Sequence, residues 1–258
     1  MQLHSIFRYP VKGLQGESLQ EVRLTEASLL PGDRRYGLAL PSYDDYLASG
    51  YGWAKKAHFV CGFRQPEATA WTGQMQQAQV LAVHQDGRSL DLTTPHGLAD
   101  LASKVCPGKD LKLIDSQAKP LRHGFTDMKF PQISFANVET TRWLADRFGL
   151  QEDPEFGLNP GRFKNNIWLK GLRPWQELDW LDGQQVVQIG GAKVKMFMTV
   201  GRCNNINADP KTGKADRNLL QELTMVAREL GHYDLGQPQP FPLMGVFGIV
   251  TEAGELTI

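Results

Sequence analysis

The sequence predicts an α+β fold, mostly β, with an N-terminal β-barrel-like domain followed by a second β-barrel with flanking helices. Three observations carry that prediction. Short stretches of alternating apolar and polar residues recur in both halves. Turn signals rich in Gly, Asp and Pro separate them. Helical periodicity is confined to a few segments that do not alternate regularly with strands, which argues against a doubly wound parallel sheet.

Taken in order, "LHSIFRYPV" and "SLQEVRLT" alternate as strands, and "LLPGDRRYGLAL" makes a Pro-Gly-Asp turn into another. Further strands follow in "AWTGQ" and "QVLAVHQDGRSLDLTT", with Asp86-Gly87 as a hairpin signal. "HGLADLASKVC" predicts a short helix with Leu98, Leu101 and Val105 on one face. Between about residues 110 and 132 the chain turns polar and is broken by Pro120 and Pro131. The domain boundary is placed there, giving units of 1–115 and 116–258.

In the second unit "ANVETTRWLADRFG" predicts a helix with Asn137 as N-cap and Gly149 just past its end. "NNIWLKGL" and "QQVVQIGGAKVKMFMT" are strands, the latter folded at Gly190-Gly191. "RPWQELDWLDG" reads as a turn whose Trp175 and Trp180 pack a core edge, with no chemistry. The clearest helix is "ADRNLLQELTMVARELG", with Leu219, Leu223, Val226, Ala227 and Leu230 on one stripe. "MGVFGIVTEAGELTI" then returns to strand.

The chain has 258 residues, 41% hydrophobic and 22% charged, with a formal net charge of zero. No nucleic-acid or anionic-membrane surface follows from that balance, so an anionic ligand needs a local cluster of cations. Neither a signal peptide nor a membrane-spanning run is apparent. Three widely spaced cysteines, Cys61, Cys106 and Cys203, argue against a disulfide framework and for a reducing cytoplasm.

Among these thiols Cys203 stands apart. It ends a predicted strand inside "TVGRCNNINADPKTGKADRN", and Arg202 places a positive charge beside it. Cys61 and Cys106 read as ordinary structural thiols. Zinc is a poor match, because structural zinc wants about four Cys or His ligands, usually in close pairs. His123 and His232 are candidate partners for a Cys-His nucleophile, but spacing does not support them. Residue chemistry therefore leaves Cys203 as a core thiol, a nucleophile or a soft-metal ligand.

Other segments carry cations near predicted strand ends: Lys12 and Gly13 in "YPVKG", Arg34 and Arg35 in "GDRRYG", and Arg162, Lys164, Asn165 and Asn166 in "GRFKNNIWLKG". Ammonium and guanidinium groups beside Gly or Pro turns can hold a phosphate together with nearby backbone N–H groups; solvated hairpin loops are the plain alternative. Asp209, Pro210 and Gly213 signal a turn, in which Asp209 either orients a ligand or caps its own loop.

In this order, "YPVKG", "GDRRYGL", "RFKNNIWLKG" and "GRCNNINADPKTG" resemble the proteins with an N-terminal β-barrel and a MOSC domain, the mitochondrial amidoxime-reducing component and its bacterial counterparts among them. The resemblance covers nearly the whole chain, and "RC" followed by "DP-x-TG" is its most specific element. It implies the molybdenum cofactor (Mo-molybdopterin), with Cys203 as the thiolate ligand of the metal and Asp209 near it. It also implies cofactor contacts from Lys12, Gly13, Arg34, Arg35, Arg162, Lys164, Asn166 and Arg202. The implied reaction is reduction of small N-hydroxylated compounds such as amidoximes, hydroxylamines and N-hydroxylated bases. A cofactor carrier, or a sulfur carrier using a Cys203 persulfide, is the alternative.

Three positions depart from the family pattern. Gly13 stands where Ser is frequent, Lys164 replaces an Arg, and Ile206 stands where Thr is common. Lys cannot reproduce the bidentate fork of Arg, so these changes bear on cofactor affinity and substrate choice. The cysteines of the iron–sulfur domain found in some bacterial relatives are not in this sequence. Electrons are accordingly expected from a separate ferredoxin- or cytochrome-like donor protein.

Overall fold

The computed structural model describes residues 1–48, 55–118, 124–128, 130–231 and 241–258. His123, His232 and Pro120 lie outside them. The first half contains β1 (Gln2–Arg8), β2 (Glu17–Leu19), β3 (Glu21–Leu24), β4 (Tyr36–Ala39), α1 (Ser42–Ala48), β5 (Trp71–Gln76), β6 (Gln79–His84), β7 (Ser89–Asp91), α2 (Pro95–Val105) and β8 (Lys112–Asp115). The second contains β9 (Ile133–Asn137), α3 (Val138–Phe148), β10 (Ile167–Lys170), β11 (Val186–Ile189), β12 (Ala192–Gly201), α4 (Leu219–Leu230), β13 (Leu243–Glu252) and β14 (Gly254–Thr257).

The fold is α+β and mostly β, as the alternating patterns require. Among the described residues the strands form four sheets: a seven-stranded sheet ordered β11-β12-β13-β9-β10-β1-β2, the pairs β14-β3 and β4-β8, and the meander β5-β6-β7. Neighbours in the large sheet run antiparallel except β9 and β10, which are parallel. A parallel pair needs a crossover, and α3 lies in this one.

Local signals set these elements. Asn137 accepts from Glu139 N at 3.0 Å as the N-cap of α3, and Gly149 ends it in the left-handed region. Asp86-Gly87 turns β6 into β7, and Gly190-Gly191 turns β11 into β12. Helix α4 buries Leu219, Leu223, Val226 and Ala227, each large aliphatic side chain contributing roughly 1.5–3 kcal/mol.

Pairing across the halves differs from the division expected at residue 115. β1 pairs with β10, and β3 with β14, so the first residues of the chain complete sheets of the second half. The polar stretch marks a change of composition, but strand partners are chosen by tertiary packing. The main core collects Ile6, Phe135, Trp168, Val194 and Val246 from five strands of the large sheet. A second core gathers Val11, Leu38, Trp71, Ala82 and Leu101 from the first half. No helix among the described residues is long and apolar enough to cross a membrane.

Candidate functional site

A cavity of about 440 Å³ lies between these two groups of elements, within the ~300–1,000 Å³ range of small-molecule sites. Segments that enter or leave strands line it: residues 9–14 after β1, Asp33 and Arg34 before β4, 61–63 before β5, 126–128 before β9, 162–164 before β10 and 200–206 at the end of β12. Loops held by a rigid sheet can gather side chains that are far apart in sequence.

Cys203 lies on this wall, half-buried and unpaired, where β12 gives way to a single 3₁₀ turn. Six cationic residues, Lys12, Arg34, Lys56, Arg162, Lys164 and Arg202, line the same cavity. The buried Lys12 donates from Nζ to Phe125 O at 2.8 Å and to Asp127 Oδ1 at 2.6 Å. Arg34 pairs with the buried Asp33 and lies over the Tyr9 ring at 4.8 Å; Asp33 also accepts from Tyr9 N. Tyr9 donates from its hydroxyl to Asn165 O at 3.1 Å, and burial pushes its phenol well above the ordinary range.

Lys164 donates to Gly13 O at 2.9 Å and Leu14 O at 3.2 Å. Burial first, then the Arg34 charge, pushes its ammonium down to about 7, against the opposite pull of Cys203 and Cys61. Arg34 and Lys164 both have left-handed backbones, φ 48° and 50°, which aim neighbouring side chains away from a regular strand path. Gly13 has φ 93°, and a Cβ there would stand 2.5 Å from Val60 O. The backbone therefore accounts for glycine at this departure from the family pattern.

Not every expected residue faces the cavity in the same manner. Arg162 is only 2% exposed, and its guanidinium is consumed by Glu152 at 2.7 Å, Asp216 at 2.8 Å and Ile206 O at 3.1 Å. Asn166 is a brace: Oδ1 accepts from Ser134 Oγ at 2.9 Å and Nδ2 donates to Phe7 O at 3.2 Å. Arg202 donates to Phe163 O, Met244 O and, at 2.7 Å, Asn165 Oδ1. It ties the strand end to the loop before β10, and burial pushes it down to about 9.

Arg35 and Asp209 lie outside the cavity lining, contrary to their expected places. Arg35 is held by Asp115 at 2.7 Å and lies over the Tyr36 ring. Asp209 accepts from Lys211 N at 2.8 Å and Thr212 Oγ1 at 3.1 Å, so it caps its own turn. Cys106 is buried with its thiol pushed up by burial, whereas Cys61 lines the cavity.

Lys56, Phe63, Cys61, Asp127 and Gln132 join the site without a sequence signal, and Asn205 joins it from within the Cys203 motif. Phe63 is an exposed aromatic at the rim, with the Lys56 ammonium 5.7 Å from its ring centre. Among the described residues no three His, Cys, Asp or Glu side chains cluster as a metal site. A metal here would take Cys203 as protein ligand and draw its remaining ligands from a cofactor. The site fits such a group. It offers the thiols of Cys203 and the more buried Cys61 and several cations, and Gln132 Oε1, Asn205 Oδ1 and Arg202 Nε are buried in its lining residues with no partner.

Comparison with known proteins agrees with the order of motifs. Residues 1–149 match the MOSC N-terminal beta barrel domain and residues 120–257 match the MOSC domain. No curated protein is similar enough to match. Among solved structures, the YUAD protein from Bacillus subtilis aligns at 12% identity and a TM-score of 0.39, covering 99% of this chain and 90% of that one. With both domain matches in sequence, each over half the chain or more, this protein belongs to the MOSC family and carries the MOSC N-terminal beta barrel domain ahead of its MOSC domain.

Proposed function

We propose that this chain binds the molybdenum cofactor in the cavity and reduces N-hydroxylated compounds with electrons from a separate donor protein. MOSC domains are associated with molybdenum cofactor proteins. The observation that carries the reading is that Cys203 lines one cavity together with Lys12, Arg34, Lys56, Lys164 and Arg202, in a chain of zero net charge. Cys203 would ligate the metal, a soft donor for a metal–sulfur centre. Lys12, Arg34, Lys56 and Lys164 would hold the phosphate. Arg162, Asn166 and Arg202 act one step back, holding the loops that present these groups.

When bound, the cofactor supplies the two-electron chemistry that removes the oxygen of an N–OH group. The N–O bond breaks, two electrons come from the donor protein, two protons are taken up and oxygen leaves as water. The chain's own part is to orient the N–OH group towards Cys203 and to keep the cavity walled by Val200, Phe163 and Phe247. Cysteines left as free thiols agree with a reducing compartment, and we place the protein in the cytoplasm.

The test is molybdenum and pterin analysis of wild type beside Cys203→Ala, after expression in a cofactor-competent host. The expected result is about one molybdenum and one pterin per wild-type chain, with the metal lost in the variant. Loaded protein should also reduce benzamidoxime with an artificial electron donor. Wild type without molybdenum would sink the proposal; loading without reduction would leave a cofactor carrier instead of a reductase.

A further inference from the structure

Gln132 sits one residue before β9, is 7% exposed and lines the cavity. Its Oε1 is buried with no hydrogen-bond partner. Asn205, two residues beyond Cys203, lines the same cavity and also leaves its Oδ1 buried and unpaired. It lies so close to Gly62 that a Cβ there would come within 1.6 Å of this oxygen. The bare glycine makes the room in which the Asn205 amide sits.

An unpaired buried acceptor costs roughly 1–3 kcal/mol, and native proteins keep few of them. Here two stand in one cavity whose lining also carries six cationic side chains, Lys12, Arg34, Lys56, Arg162, Lys164 and Arg202. Cations satisfy an anionic part of a ligand and do nothing for its N–H groups. Two neutral acceptors do the converse: they are complementary to a flat group that presents N–H donors.

We propose that Gln132, assisted by Asn205, accepts hydrogen bonds from an amidine-type N–C–NH₂ edge of the bound ligand. This rests on the reading of the cavity as a molybdenum-cofactor site for N-hydroxylated substrates. Two molecules of that reading carry such an edge: the amidoxime class of substrate, and the aminopyrimidine end of the pterin. Gln132 is thus a binding residue that selects for N–H donors, and hydroxylated ligands without them lose this contact. A site built to hydrogen-bond a polar group discriminates strongly against an analogue lacking it.

The experiment compares wild type with Gln132→Met and Asn205→Leu, all purified from a cofactor-competent host and checked for folding by thermal melting. Molybdenum and pterin per chain are measured first. Binding of benzamidoxime and benzaldoxime, which differ by an amino group, is then measured without an electron donor so that nothing turns over. The expected wild-type preference for benzamidoxime is about tenfold.

Loss of that preference in Gln132→Met with pterin content unchanged assigns the edge to the substrate. Loss of pterin from a folded Gln132→Met assigns it to the cofactor. Unchanged pterin and unchanged preference in a folded Gln132→Met overturn the proposal. Should Gln132→Met fail to fold, Asn205→Leu decides by the same readings. Wild type that carries neither molybdenum nor pterin brings down the underlying reading and this inference with it. Loaded wild type with an indifferent variant brings down only the inference.

Discussion

Lys12 and Asp127, 115 positions apart in sequence, form an ion pair of 2.6 Å at the cavity wall. Crowding raises the Asp127 carboxyl, but Lys12, with Lys56 and Arg34 beyond it, outweighs this and holds it below the usual range. The carboxylate of Asp127 thus balances the charges that an anionic ligand would otherwise meet. Asp127→Asn should bind sulfate about tenfold more tightly than wild type, and Lys12→Met at least tenfold more weakly. Calorimetric titration measures both, and equal affinities across the three proteins would remove Lys12 from the anion site.

Lys164 gives that site a pH dependence. Its ammonium is pushed down to about 7, so it is charged below that pH and neutral above it. Sulfate does not titrate in this range, so its affinity follows the charged fraction of Lys164. Between pH 6 and pH 8 affinity should fall about tenfold. Lys164→Arg should flatten the profile, because a guanidinium stays charged throughout. A wild-type profile as flat as that of the variant would contradict the assignment.

Arg162 predicts a stability effect. Its two carboxylate partners, Glu152 and Asp216, are themselves partly buried at 17% and 37% exposure. Arg162→Met removes the cation shared by both, although Glu152 still accepts from Asn159 N at 3.1 Å, and urea unfolding should show a loss of about 1–3 kcal/mol. A well-folded Arg162→Met that instead fails to bind sulfate would make Arg162 an anion contact.

Glu177 is fully buried, accepting from Asn137 Nδ2 at 3.1 Å and Thr140 Oγ1 at 3.0 Å. Burial pushes its carboxyl up to about 7. The folded state therefore holds the proton more tightly than the unfolded chain does, whose carboxyl titrates near the ordinary 4.5. The stability gained from this is fully present below pH 4.5 and is lost as pH rises through about 7. Its size is on the order of 3 kcal/mol. Glu177→Gln should remove this slope, so its stability relative to wild type should improve from pH 5 to pH 8. Parallel unfolding curves at both pH values would refute the buried acid.

Residues whose role depends on near neighbours were legible in the sequence. The caps Asn137 and Gly149, the hairpins at Asp86-Gly87 and Gly190-Gly191, and the stripe of α4 all appear where local chemistry predicts them. The tryptophan-rich turn does pack the core edge through Trp175 and Trp180, yet it also hides Glu177. Nothing local distinguishes that acid from the exposed Asp179, because its partners Asn137 and Thr140 stand 40 and 37 residues earlier.

By itself, then, the sequence determined the mostly-β class, helices α2, α3 and α4, the neutral charge balance and the ordered motifs around Cys203. Tertiary structure alone decided which side chains meet. Of two adjacent arginines, Arg34 turns to the cavity while Arg35 is drawn to Asp115 on β8. Asp209 is kept by its own turn, whereas Asp127 and Gln132 reach the cavity from segments with no motif. Periodicity and turn chemistry act over a few residues and are written in order along the chain. Strand partners, burial and the direction of a side chain depend on contacts more than a hundred positions apart, such as β1 with β10, and only packing fixes those.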